Sequence, residues 1–128
     1  MSVPTSLPPA IVLVDDEPDV RHLLRRILMY AVGGCELIAV GTAVEALATL
    51  RTHNVLLLIT DYNMPKINGL QLMQAAKKAS PTTVVVLISA YVTPELEKGV
   101  KKAGADYFLP KPFPFDRLEA IVKAVLAS

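Results

Sequence analysis

Three acids stand where greasy runs of sequence stop. Val55-Leu56-Leu57-Leu58-Ile59 leads through Thr60 to Asp61, and Ala10-Ile11-Val12-Leu13-Val14 leads straight into Asp15-Asp16-Glu17. If these carboxylates share a cleft, each pair about 4 Å apart costs about 4 kcal/mol at an effective dielectric near 20. Such a cluster takes up protons or binds a cation. Hard oxygen ligands at a solvent-facing edge suit Mg²⁺, which keeps several waters and uses few carboxylates. Lys111, stiffened between Pro110 and Pro112, can aim one ammonium at the same place, leaving about two negative charges for a divalent ion. Ser89 adds a hydroxyl. A carboxylate nucleophile, a metal, a lysine and a hydroxyl donor suit phosphoryl transfer.

That chemistry requires elements that bring these residues together. Short apolar runs ended by turn residues read as strands buried on both faces. Tyr62 to Gly69 carries Pro, two Asn and Gly, and reads as a loop. Further strands are expected at Cys35 to Val40, Thr82 to Ile88 and Asp106 to Leu109. Helices are expected from Pro18 to about residue 31, from Thr42 as N-cap to about His53-Asn54, and from Gly69 to Lys78. Two more are expected, from Pro94 to Lys102 and from Phe115 to Leu126. Five strands alternating with five helices imply a doubly wound α/β fold, a parallel sheet with helices on both faces. In the flavodoxin-like order 2-1-3-4-5 the first and third strands are neighbours at the topological switch point. Asp15, Asp16 and Asp61 should then meet at one sheet edge.

Composition narrows the classes. The chain has 128 residues, 52% hydrophobic, with net charge +1. That fits one domain with a real core and no strong field for nucleic acid or an acidic membrane. No apolar run approaches the ~20 residues of a membrane helix. One cysteine, Cys35, cannot form an internal disulfide, which favours a reducing, cytoplasmic compartment. Residues 1–9, with three prolines, read as a flexible leader before a domain over 10–128.

The chain resembles the receiver domain of two-component response regulators, the CheY-like fold. The likeness rests on Val14-Asp15-Asp16-Glu17-Pro18, Thr60-Asp61 with Met64-Pro65 and Gly69, Ser89-Ala90, and Lys111-Pro112-Phe113. It runs from about Ala10 to Leu126. The resemblance implies that Asp61 accepts a phosphoryl group from a sensor histidine kinase or a phosphotransfer protein. Asp16, Asp61 and the backbone carbonyl of Asn63 would bind Mg²⁺ directly, and Asp15 through water. Lys111 would pair with Asp61 and then with the phosphoryl group, and Ser89 would turn inward to hydrogen-bond it. The Lys111-Pro112 bond would be cis. A homodimer through the fourth helix, fifth strand and fifth helix is permitted by the charges Lys101, Lys102, Asp106, Arg117 and Glu119. The family's switch aromatic is usually Tyr; here it is Phe108, which can swing inward but has no hydroxyl to address a partner. Tyr91, two residues after Ser89, is bulky enough to hinder water, so slow self-dephosphorylation is expected. The domain would act on no separate substrate.

Other readings stand beside this one. Asp61 alone could be a loop residue and Ser89 a turn hydroxyl. Glu17 reads as a first-turn residue favouring the helix dipole, and His22 and His53 as solvated. A haloacid-type phosphatase wants a second Asp two residues after the nucleophile, where this chain has Asn63. An FMN binder wants a phosphate-cradling loop where this chain has Asp-Asp-Glu. A binding module working without phosphorylation would not need Asp15, Asp16, Asp61 and Lys111 together.

Overall fold

The computed structural model describes residues 7–112 and 114–128. Among these, five strands alternate with five helices: β1 (Pro9–Val14), α1 (Pro18–Leu28), β2 (Glu36–Val40), α2 (Ala43–Thr52), β3 (Asn54–Asp61), α3 (Gly69–Ala79), β4 (Val84–Ser89), α4 (Pro94–Lys102), β5 (Tyr107–Pro110) and α5 (Phe115–Ala127). The strands form one parallel sheet in the order β2-β1-β3-β4-β5. This is the doubly wound order expected from the alternation. Of the expected leader, residues 1–6 lie outside the described residues. Pro9 already belongs to β1, and the Asn54 amide donates to the Pro8 carbonyl at 2.9 Å.

Alternate strand residues face opposite sides of a sheet, and the core divides accordingly. Ile11 and Leu13 of β1, Leu57 and Ile59 of β3, and Val86 and Ile88 of β4 pack with Leu24 and Leu28 of α1 and Leu118, Ile121 and Val122 of α5. Val12, Val14, Leu58, Val85 and Leu87 pack on the other side with α2, α3 and α4 through Ala46, Leu72, Met73 and Val100. Each such large side chain contributes about 1.5–3 kcal/mol by leaving water.

The strand that ends at Asp61 is less regular than its sequence suggests. Ala10 pairs with Val55 but Ile11 pairs with Leu57, so Leu56 is the extra residue of a bulge. The bulge moves Val55 onto the face of Leu58, whereas strict alternation would set it with Leu57 and Ile59. A run in which every residue is apolar carries no alternation from which that shift could be read.

Local chemistry fixes the helix starts. The Thr42 hydroxyl accepts from the Glu45 amide at 3.2 Å, and the Thr93 hydroxyl from the Leu96 amide at 3.1 Å. Asn68 and Gln71 close a reciprocal capping box at α3. Helix α1 ends at Leu28, short of the spacing-based limit near 31, and Gly33 then turns the chain at φ +59°.

Two polar latches were not expected. His53 Nε2 lies 2.8 Å from Glu36 Oε2 and Nδ1 lies 2.8 Å from Thr52 Oγ1, so this histidine ties the end of α2 to edge strand β2 instead of standing solvated. Asp106 accepts from the Val85 amide and from Lys77 Nζ, both at 2.8 Å, and so pins α3 and β4 to the start of β5.

Candidate functional site

Parallel pairing carries the acids to one edge. Val14 pairs with Thr60 and Asp61 with Ile88, so β1, β3 and β4 end side by side. Ser89 pairs with Pro110, and the Lys111 amide donates to the Ser89 carbonyl at 2.8 Å, which brings the β5 loop to the same place. Asp15, Asp16 and Asp61 each offer a carboxylate oxygen within 4.8 Å of the others. Asp15 and Asp61 are buried and Asp16 is exposed.

Each buried acid is held. Asp61 Oδ2 accepts from Lys111 Nζ at 2.9 Å and Oδ1 from the Asn63 amide at 3.2 Å. Asp15 Oδ1 accepts from the Glu17 amide at 2.9 Å, and its Oδ2 lies 3.9 Å from Lys111 Nζ. Burial holds the Asp15 carboxyl above the usual range; the Glu17 amide and Lys111 pull it down, and Asp61 and Asp16 push it further up. Burial also pulls Lys111 down, but its hydrogen bond to Asp61 and the charges of Asp61, Asp15 and Glu17 outweigh that and leave it raised. Three carboxylates face one ammonium, so the edge keeps an excess of negative charge.

That excess fits a small divalent cation. Mg²⁺ places ligand oxygens at about 2.0–2.1 Å, so opposite ligands stand about 4.2 Å apart. Oxygens within 4.8 Å of one another meet that need with slight rotation, or with one acid reaching the ion through water. The donor set is all oxygen, as a hard cation requires.

Asp15, Asp16, Asp61, Lys111 and Ser89 all lie at this edge, but Ser89 and Phe108 bring surprises. Ser89 ends β4, is buried, and spends its hydroxyl on Tyr91: it donates to the Tyr91 carbonyl at 3.0 Å and accepts from the Tyr91 amide at 3.1 Å. Phe108 already lies inward, 5% exposed, in the core with Leu87, Val100 and Ala105. The Lys111-Pro112 bond is cis. Phe113 lies outside the described residues. Glu17 is the N-cap residue of α1 and makes no side-chain cap bond, one position earlier than the first turn.

Three supporting features escaped sequence reasoning. Arg21 Nη1 donates to the Asp15 carbonyl at 2.8 Å, anchoring the acidic turn to α1. A Cβ at Gly41 would stand 2.8 Å from that same Nη1, so the glycine leaves the guanidinium its room. Lys66 sits at φ 68° with the Ile67 amide bonded to the Pro65 carbonyl at 2.8 Å, a strained γ-turn on a non-glycine residue. Gly69, part of the recognised pattern, acquires a reason: a Cβ there would overlap the Asp61 carbonyl oxygen and stand 2.8 Å from the Tyr62 Cα.

Of the charges expected on the α4, β5 and α5 face, Lys101 pairs with Glu97 at 3.1 Å and Asp106 with Lys77. Glu119 turns toward α1, lining a groove with Leu23, Ile27 and Tyr30. No helix among the described residues is long and apolar enough to cross a membrane.

Comparison with known proteins agrees with this fold. Residues 11–123 match the response regulator receiver domain. The chain is 36% identical over 123 residues to the response regulator Rre1 of Synechocystis sp., covering 94% of this chain and 52% of that protein. It is 34% identical over 116 residues to the DNA-binding transcriptional regulator NtrC of Escherichia coli, covering 90% of this chain and 24% of that one. The chain thus spans about half, or less, of the length of these relatives. Among solved structures, the receiver domain of NtrX from Brucella abortus superposes with a TM-score of 0.81 at 32% identity, over 92% of this chain and 98% of that one.

Proposed function

The chain belongs to the response regulator receiver domain family of two-component systems, and from that premise we propose that Asp61 accepts a phosphoryl group from the phosphohistidine of a sensor kinase or phosphotransfer protein. The observation that carries this reading is Lys111 Nζ, 2.9 Å from Asp61 Oδ2 and 3.9 Å from Asp15 Oδ2, at an edge where three carboxylates cluster. An oxygen of Asp61 attacks phosphorus as the P–N bond to the donor imidazole breaks. The bonding pair stays on the imidazole nitrogen, which is then protonated, and Asp61 becomes an acyl phosphate. Lys111 follows the negative charge from the carboxylate onto the phosphoryl oxygens. Asp16, Asp61 and the Asn63 carbonyl would hold Mg²⁺, with Asp15 reaching it through water. When bound, the ion supplies positive charge for the transferring oxygens. Ser89 then donates its hydroxyl to the phosphoryl group, and the altered surface passes the state to a partner. Loss of phosphate to water resets the domain, which turns over no separate substrate. Such a partner places the protein in the cytoplasm.

Incubation with a small phosphodonor and Mg²⁺ tests the reading. Base-labile, acid-stable label on the wild type and none on Asp61→Asn is the expected result. No label on either protein would overturn it in favour of a module that binds without phosphorylation.

A further inference from the structure

The peptide that joins Asp15 to Asp16 is held from outside the acidic turn. The Asp15 amide donates to the Val40 carbonyl at 3.2 Å, at the end of β2. The Asp15 carbonyl accepts from Arg21 Nη1 at 2.8 Å. A peptide unit is planar and runs from one Cα to the next, so holding that carbonyl also sets where the Asp16 Cα stands and how its side chain leaves the chain. The two buried acids are aimed by hydrogen bonds of their own, Asp15 to the Glu17 amide, and Asp61 to Lys111 and the Asn63 amide. Asp16 is exposed and takes its direction from the main chain.

Arg21 is confined in turn. A Cβ at Gly41, the residue after β2, would stand 2.8 Å from Arg21 Nη1 and 3.5 Å from Cζ. Any larger residue there pushes the flexible guanidinium aside. The guanidinium carries the sign of a bound cation and so opposes its binding. Arg21 is only half-buried, however, so that charge is screened by solvent and salt. Loss of a group that orients a metal ligand costs about 10–100-fold in affinity, and orientation outweighs the repulsion.

We propose that Arg21 is a positioning residue for Mg²⁺, acting through the Asp15–Asp16 peptide, and that Gly41 gives it the room to do so. Helix α1 and the end of β2 thereby set the affinity of an ion to which neither supplies a ligand. This inference rests on the acidic edge binding Mg²⁺.

Isothermal titration calorimetry of the whole chain with magnesium chloride reads it directly. Arg21→Ala should raise the Mg²⁺ Kd about tenfold. Gly41→Ala leaves Arg21 and every acid in place, and should raise the Kd severalfold by displacing the guanidinium. In the double variant the losses should not add, because the second change has nothing left to displace; independent sites would add. Phosphorylation from a small donor should need correspondingly more Mg²⁺ to reach half its maximal rate. Chemical denaturation in Mg²⁺-free buffer shows which variants are folded; if Arg21→Ala is not, Gly41→Ala decides alone. An unchanged or lowered Kd in a folded single variant, or additive losses in the double variant, overturns this inference by itself. Failure of the wild type to bind Mg²⁺ overturns both it and the metal reading.

Discussion

Two lysine–aspartate pairs close across this sheet at nearly the same distance. Lys111 lies 2.9 Å from Asp61 at the carboxyl ends of the strands, and Lys77 lies 2.8 Å from Asp106 at the opposite end. Their surroundings differ. The Asp61 side chain is 9% exposed and the Asp106 side chain 37%. Lys77 and Asp106 balance one to one, and Asp106 also accepts the Val85 amide, so nothing is left over. At the other end one lysine serves Asp61, with Asp15 at 3.9 Å and Asp16 in the same cluster. A distance of 2.9 Å therefore does not mark a site. Unbalanced charge held in a buried place does, because it creates demand for a cation and for a reaction that moves charge.

The largest test of that contrast is removal of each lysine. Lys111→Ala should slow phosphoryl transfer from a small donor by about 10²-fold, the usual loss on removing one electrostatic stabiliser. Lys77→Ala should leave the rate unchanged, although a pair this exposed still supports the fold by about 1 kcal/mol or less. Equal effects on rate would erase the distinction between the two ends.

Among the glycines, only Gly69, at the acidic end, is crowded by backbone. Gly69→Ala forces a methyl into the Asp61–Tyr62 backbone, and should cost about 1–3 kcal/mol in chemical denaturation. A neutral result would mean that α3 shifts without disturbing Asp61.

Tyr91 supplies a further test at the acidic end. Tyr91 is exposed beside Ser89, and Tyr91→Ala should shorten the half-life of the acyl phosphate severalfold, read by loss of label. An unchanged half-life would show that Tyr91 does not screen water.

The smallest effect concerns stability without metal. Burial raises Asp15, so the folded chain holds that proton more tightly than the unfolded one. The stability this group carries is present below its ordinary value of 3.8 and is lost as pH rises through the raised folded value. At neutral pH its charge is a cost. Asp15→Asn keeps an acceptor for the Glu17 amide, and in Mg²⁺-free buffer should raise the melting temperature at pH 7 by about 2–4 °C, a gain that shrinks toward acid pH. The same variant should bind Mg²⁺ more weakly. Lys111 titrates at the other extreme: its raised value keeps its contribution intact below 10.5, and that contribution is lost as pH rises through the raised value. A lower melting temperature for Asp15→Asn in metal-free buffer would contradict the charge imbalance.

Much of the acidic end was legible in the sequence because strand ends and punctuation are local. Two greasy runs stopping at acids, and a lysine between prolines, placed Asp15, Asp16, Asp61 and Lys111 before any coordinates. What was not legible depends on register and side-chain reach. The bulge at Leu56 hides in an unbroken apolar run. Arg21 reaches Asp15 from the next helix, and His53 meets Glu36 across 17 positions of chain. Asp106 looked like an open docking charge because Lys77 lies 29 positions away. The inward position of Phe108 follows from core packing around β4 and β5, which residue type alone does not give.

One measurement bears most directly on the difference between the two ends. After exposure to a small phosphodonor and Mg²⁺, borohydride reduction converts an aspartyl phosphate to homoserine, which peptide mass spectrometry locates. The modification is predicted at position 61 and at no other acid, Asp15, Asp16 and Asp106 included. Homoserine at one of those positions, or at none in a protein that binds Mg²⁺, would contradict the assignment of Asp61 as the phosphoryl acceptor.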